Sequence, residues 1–308
     1  MNRLYFFIVL LFSAVGLVFA GGEKDVSLQD EAGIEVFVSI LPQKYFVERI
    51  GGPDVEVSVM VPPGKSPATY EPTPQQIIKL GDADIFFTLG VPFEAAFLPR
   101  VSSNLKDVAI VPTDRGIRKR HLESHSHDED EEHEHEDEHD HAHEKGAPDP
   151  HIWMDPVLVK HQGAIIRDAL IDLDPDGSDA YSRRYEEFSA DLDLLHEDLT
   201  EILAPAEGSI LFVYHPAFGY FADRYGLRQE AIETGGKEPS PAVLEGVIAE
   251  ALHEGVRIIF VQPEFPEKSA QAVADAIGGV VVPVAPLAED YMENLRSLAR
   301  KIAQGITR

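Results

Sequence analysis

From Ile34 onward the chain alternates short apolar blocks with helix-like stretches, and turn residues separate them. The blocks from Ile34 to Ile40, Val55 to Val61, Ile85 to Leu89 and Val108 to Val111 mix β-branched and apolar residues, as buried strands do. Pro62-Pro63-Gly64 ends the second block, and Pro74 suits the first turn of a helix that carries Ile77, Ile78 and Leu80. The alternation resumes with strands from Ser209 to Tyr214, Arg257 to Val261 and Val280 to Val284. The helices around them run from about Ala242 to His253, Lys268 to Ile277 and Asp290 to Ile306. Between these halves, Ser178 to Leu203 holds no proline or glycine, and Phe188, Leu192, Leu195, Leu199, Ile202 and Leu203 recur at helical spacing. A helix of that length spans roughly 40 Å at 1.5 Å per residue. The pattern predicts an α/β fold of two lobes, each a mainly parallel sheet covered by helices. Residues 33–177 and 206–308 form the lobes, and one long helix over 178–205 links them.

The first 20 residues stand outside this pattern. Asn2 and Arg3 precede an almost wholly apolar run from Leu4 to Val18, and Val18-Phe19-Ala20 then supplies a small-x-small cleavage pattern. Residues 1–20 are expected to be a cleaved signal peptide that exports the chain to the periplasm or another extracytoplasmic space. No other apolar stretch is long enough to span a bilayer.

Composition narrows the chemistry. The formal charge is −28, so nucleic acid and anionic lipid, both polyanions, are excluded as main partners. The chain has no cysteine, which removes disulfides, thiolate ligands and a lipid-modified N-terminus. Any metal site must therefore use imidazole and carboxylate. Eight of the thirteen histidines lie between His121 and His143, interleaved with acidic runs such as Asp128-Glu129-Asp130-Glu131-Glu132. The segment 121–145 is too polar to pack and is expected to be disordered. Its imidazoles, with His125, His127, His133, His135, His139, His141 and His143 as candidates, can close labile chelates on zinc, copper or nickel.

Four other stretches carry the more specific signal. They are Val61-Pro62-Pro63-Gly64 through Ala68-Thr69-Tyr70-Glu71-Pro72, then Asp149-Pro150-His151-Ile152-Trp153-Met154-Asp155-Pro156, then Tyr214-His215-Pro216-Ala217-Phe218-Gly219, and finally Gln262-Pro263-Glu264-Phe265 with Pro286-Leu287. In this order, with a histidine-rich insertion between the first two, they resemble the zinc and manganese solute-binding proteins of ABC transporters. The resemblance covers essentially everything from Val36 onward. It implies a metal cleft between the lobes, one ligand from each of four loops, and a membrane permease with its ATPase as partners of a monomeric binding protein. His151 and His215 match family ligands. Two departures stand out: Ala68 occupies a position where the family usually has histidine, and Ala285 one where many members have aspartate. Glu264, where many relatives carry glutamine, is the leading candidate for a third ligand; Glu71, Gln262 and Asp290 follow.

Read from the residues alone, His151 at the start of a predicted helix and His215 at the end of a strand are placed where open α/β sheets bind small solutes. His161, His196 and His253 read as ordinary surface or core histidines. Tyr70, Trp153, Phe218 and Tyr220 read as packing around the cleft, and Gly64 and Gly219 as turn residues. The cargo expected is Zn2+, with Mn2+, Cu2+ or Ni2+ as other divalent possibilities. No His-Glu-x-x-His motif supports a zinc hydrolase. The competing reading is a metal-buffering or adhesin-type surface protein that is not coupled to transport.

Overall fold

The computed structural model describes residues 33–122, 146–233 and 239–306. The expected signal peptide and the seven candidate histidines from His125 to His143 lie outside them. Two four-stranded parallel sheets organise the described chain. The first contains β1 (Ile34–Val38), β2 (Val55–Val59), β3 (Ile85–Thr88) and β4 (Ala109–Pro112), in the order β2-β1-β3-β4. The second contains β5 (Ile210–Val213), β6 (Arg228–Ala231), β7 (Ile258–Val261) and β8 (Val280–Pro283), in the order β6-β5-β7-β8. All pairings are parallel. Central strands are apolar because helices cover both faces of such sheets; all four residues of β3 are buried.

Helices connect the strands. The first lobe holds α1 (Leu41–Gly51), α2 (Pro74–Gly81), α3 (Pro92–Val101) and α4 (Pro156–Leu173). The central helix α5 (Ser178–Leu203) is followed by α6 (Gly219–Arg224), α7 (Pro241–His253), α8 (Glu267–Ile277) and α9 (Tyr291–Ile306). Strands β1 to β5, β7 and β8 and helices α2, α5 and α7 to α9 lie within a residue or two of their expected bounds. The hydrophobic pattern does not announce α1, α3, α6 or β6. β6 reads Arg-Gln-Glu-Ala, a polar edge strand with no hydrophobic alternation to find.

His151 does not start a helix. Asp155 caps α4, its Oδ1 accepting the Val157 amide at 2.9 Å, so the helix begins five residues later, after a single 3₁₀ turn at Ile152–Met154. Gly64 has a positive φ of 74° as a turn glycine should, but Gly219 does not. Gly219 opens α6, and a Cβ there would meet the Arg120 guanidinium, so a larger residue at this position would displace that side chain.

α5 is more than a strut. It buries Tyr181, Phe188, Leu192, Leu195, Leu199 and Leu203, and packs against α1 and α4 on one side and α9 on the other. Phe46 of α1, Phe188 of α5 and Tyr291 of α9 form one aromatic cluster, with Phe46 and Tyr291 edge-to-face at 4.9 Å. One continuous apolar core therefore runs through both lobes. Polar bonds also cross between them. Trp153 Nε1 donates to the Pro286 carbonyl at 2.9 Å, and Arg224 pairs with Asp155 at 2.6 Å. The segment that follows β4, which carries His151, is thereby held against α6 and the loop that follows β8.

Candidate metal centre

The first histidine is fixed by its own loop. Asp149 is fully buried, and its Oδ1 accepts both the His151 amide at 2.9 Å and the His151 Nδ1 proton at 2.7 Å. Arg120 stands 3.8 Å from the other carboxylate oxygen, while the Tyr220 hydroxyl donates to the Asp149 carbonyl at 3.0 Å. The loop is stitched from outside as well. The Asp149 amide donates to the Arg120 carbonyl and the Leu122 amide to the Ala147 carbonyl, both at 2.9 Å. These bonds make a short antiparallel stem at the base of the histidine-rich segment. His121 belongs to this stem, with Nδ1 2.7 Å from the Gly146 carbonyl oxygen.

The second histidine is held from three sides. Gln262, buried at the end of β7, clamps the backbone of His215: its Nε2 donates to the His215 carbonyl at 2.7 Å, and its Oε1 accepts the His215 amide at 3.3 Å. Both ends of that amide engage the His215 backbone, so Gln262 positions His215. Phe265 stacks on the imidazole, ring centroids 4.6 Å apart. Glu233, 1% exposed, accepts the His215 Nδ1 proton at 2.6 Å. It reaches that point because the chain leaving β6 stays on the sheet, the Glu233 amide donating to the Tyr214 carbonyl at 2.9 Å.

An ionised carboxylate can only accept, so each Nδ1 carries the ring proton and each Nε2 presents its lone pair. The two Nε2 atoms face each other across 3.4 Å. Two nitrogens bound tetrahedrally to zinc at about 2.0–2.1 Å stand roughly 3.3–3.4 Å apart. The spacing and both tautomers are thus those of a pair that shares one ion. Burial depresses the His215 pKa, the neighbouring His151 adds to this, and Glu233 opposes it. The net direction favours the neutral, ligating form. Asp149 and Glu233 each keep one buried carboxylate oxygen without a hydrogen-bond partner. An arriving dication would balance that negative charge.

Glu264 does not join the histidines. It lines the same cavity, half-buried, and burial raises its pKa. Among the described residues, however, no three His, Asp or Glu side chains gather closely enough to hold a metal ion. In the Gln262–Phe265 turn it is Phe265 that presses on His215. Glu71 and Asp290 are exposed and line no part of the cavity. Ala68 lines it without offering a donor, and Ala285 faces a separate hollow. Of the aromatic residues read as packing, Trp153 and Phe218 are each 1% exposed, and Trp153 lies 5.0 Å from the His151 ring. His161 is exposed and bonds the Arg115 carbonyl, His196 meets the Tyr225 hydroxyl, and His253 is exposed on α7.

A family model described as the periplasmic component A of the zinc-uptake complex matches residues 36–305. The high-affinity zinc uptake system protein ZnuA of Bacillus subtilis is 30% identical over 80% of this chain and 76% of its own. The manganese-binding lipoprotein MntA of Halalkalibacterium halodurans is 28% identical over 74% of this chain and 69% of its own. A crystal structure of ZnuA superposes with a TM-score of 0.79 at 36% identity, covering 89% of this chain and 99% of that one. With the match spanning nearly every described residue, the chain belongs to the family of periplasmic zinc-uptake component A proteins, solute-binding proteins of metal ABC transporters.

Proposed function

We propose that this protein captures a divalent metal ion, zinc above the others, outside the cytoplasmic membrane and delivers it to a membrane permease driven by an ATPase. The observation that carries the reading is the His151–His215 pair, with Nε2 atoms 3.4 Å apart and both Nδ1 protons held by buried carboxylates. Carboxylate–histidine–metal triads of this kind fix the tautomer and make the imidazole a better donor. Imidazole ligation favours zinc, copper and nickel over manganese, which prefers oxygen. Relatives named for zinc uptake favour zinc among these. The histidines from His125 to His143 are a second, labile store, since imidazoles scattered among carboxylates bind metal with little selectivity. Export places both sites where the permease can be met, and among the described residues no helix is long and apolar enough to cross a membrane.

Uptake tests the proposal. In zinc-starved cells of the source organism lacking this gene, restoring the wild-type chain should restore uptake of labelled zinc, and the His151→Ala/His215→Ala double variant should not. Equal uptake with and without the gene would remove the transport role and favour a buffering or adhesive one.

A further inference from the structure

The cavity above the two histidines is much larger than an ion requires. It measures about 370 Å³, within the range of sites for small organic molecules, roughly 300–1,000 Å³. An ion held by two imidazoles and completed by two waters needs little beyond the roughly 30 Å³ that each water occupies. The walls do not suit water either. Pro67, Val91, Trp153, Pro216, Phe265 and Leu287 line the cavity, and Trp153 Nε1 is already committed to the Pro286 carbonyl. A confined water needs two to four polar partners to be stable. Among the described residues that line the cavity there is no lysine or arginine, whereas Glu233 and Glu264 are present.

From this mismatch between two converging donors and a roomy apolar chamber, we infer that the cargo is a metal chelate: a divalent ion already held by a small, uncharged, bidentate nitrogen ligand. His151 and His215 supply two of four tetrahedral donors and the chelator the other two. The body of the chelator fills the apolar space over Ala68 and Leu287. An anionic chelator would bring its charge among described lining residues that offer carboxylates and no cation, which disfavours it. This rests on the metal reading above and specifies what arrives with the ion.

The probe is zinc with one equivalent of 2,2′-bipyridine, compared with bare zinc and with zinc citrate as an anionic chelate. Metal in the cleft is read by the fluorescence of Trp153, the one tryptophan of the chain, beside His151. Retained bipyridine is read by absorbance after dialysis, with His215→Ala as the baseline for metal bound elsewhere. Referred to free zinc, the wild-type chain should bind zinc at least tenfold more tightly with bipyridine present, retaining one bipyridine per chain above the baseline. Citrate should give no gain. Ala68→Phe, which places a ring in the cavity, should weaken bipyridine-assisted binding at least tenfold more than binding of the bare ion. Bipyridine that strips zinc from the cleft and is not retained would overturn the chelate and leave the ion reading standing. An equal gain with citrate would overturn the uncharged class of ligand. The absence of any Trp153 response and of any His215-dependent retention, for bare and chelated zinc alike, would overturn the metal reading and this inference with it.

Discussion

His151 and His215, 64 positions apart in the chain, bring their Nε2 atoms to within 3.4 Å. Each belongs to a different lobe, and each is anchored by bonds that leave that one nitrogen uncommitted. Replacing either with alanine removes one of two convergent donors. Either substitution is expected to lower zinc affinity in the cleft at least tenfold, about 1.4 kcal/mol, as read by Trp153 fluorescence. His161→Ala is the matched control, because that ring is spent on the Arg115 carbonyl.

The carboxylates behind the histidines should matter nearly as much. Asp149→Asn and Glu233→Gln keep the shape but remove the charge that fixes each tautomer. Each should weaken zinc about 10–100-fold, the usual cost of losing such a partner. A change below about twofold in both would show that the rings hold their orientation without them.

Much of this architecture was readable in the chain, and what was not has a common cause. Continuous apolar strands and the uninterrupted heptad-like spacing of Ser178 to Leu203 announce themselves because burial dictates them. His151 and His215 stood out by residue type and motif. Asp149 lay two positions from His151, inside a stretch already singled out, and a buried aspartate paired to a histidine was the clue available. Glu233 left no such trace. It is delivered to His215 by β6, whose polar sequence hides the strand, so missing the element meant missing the residue. Gln262 and Phe265 were in view, but their work on the backbone and ring of His215 depends on register between β5 and β7, which no local pattern encodes.

Excising residues 123–145 and closing the gap with a short glycine turn should lower the number of zinc ions bound per chain. The Leu122–Ala147 and Arg120–Asp149 backbone bonds of the stem remain in such a variant. The Trp153-detected affinity and the melting temperature of the metal-free protein should therefore stay as they were. A large fall in melting temperature would show that the segment packs against the lobes.

Glu94 offers a separate test of the fold. Burial pushes its carboxyl up to about 7, against hydrogen bonds from Ser39 and the amides of Leu89 and Gly90 that pull it down. Gly90, at φ 79°, makes the tight turn that aims its amide at this carboxylate. Between the usual value of 4.5 and about 7 the folded state holds a proton that the unfolded state has lost. The group's contribution is therefore full at low pH and fades as pH rises through that window, at up to about 1.4 kcal/mol per unit. Relative to wild type, Glu94→Gln should gain in melting temperature between pH 5 and pH 8. A difference that is flat with pH would mean that Glu94 ionises normally.

The central claim is that one ion sits between two named nitrogens. Crystals of the zinc-loaded protein, with anomalous diffraction recorded on both sides of the zinc absorption edge, test it most directly. The account predicts a zinc peak about 2.0–2.1 Å from both His151 Nε2 and His215 Nε2, with both Nδ1 atoms still bonded to Asp149 and Glu233. A zinc peak bound elsewhere on the chain, with the His151–His215 gap empty, would contradict it.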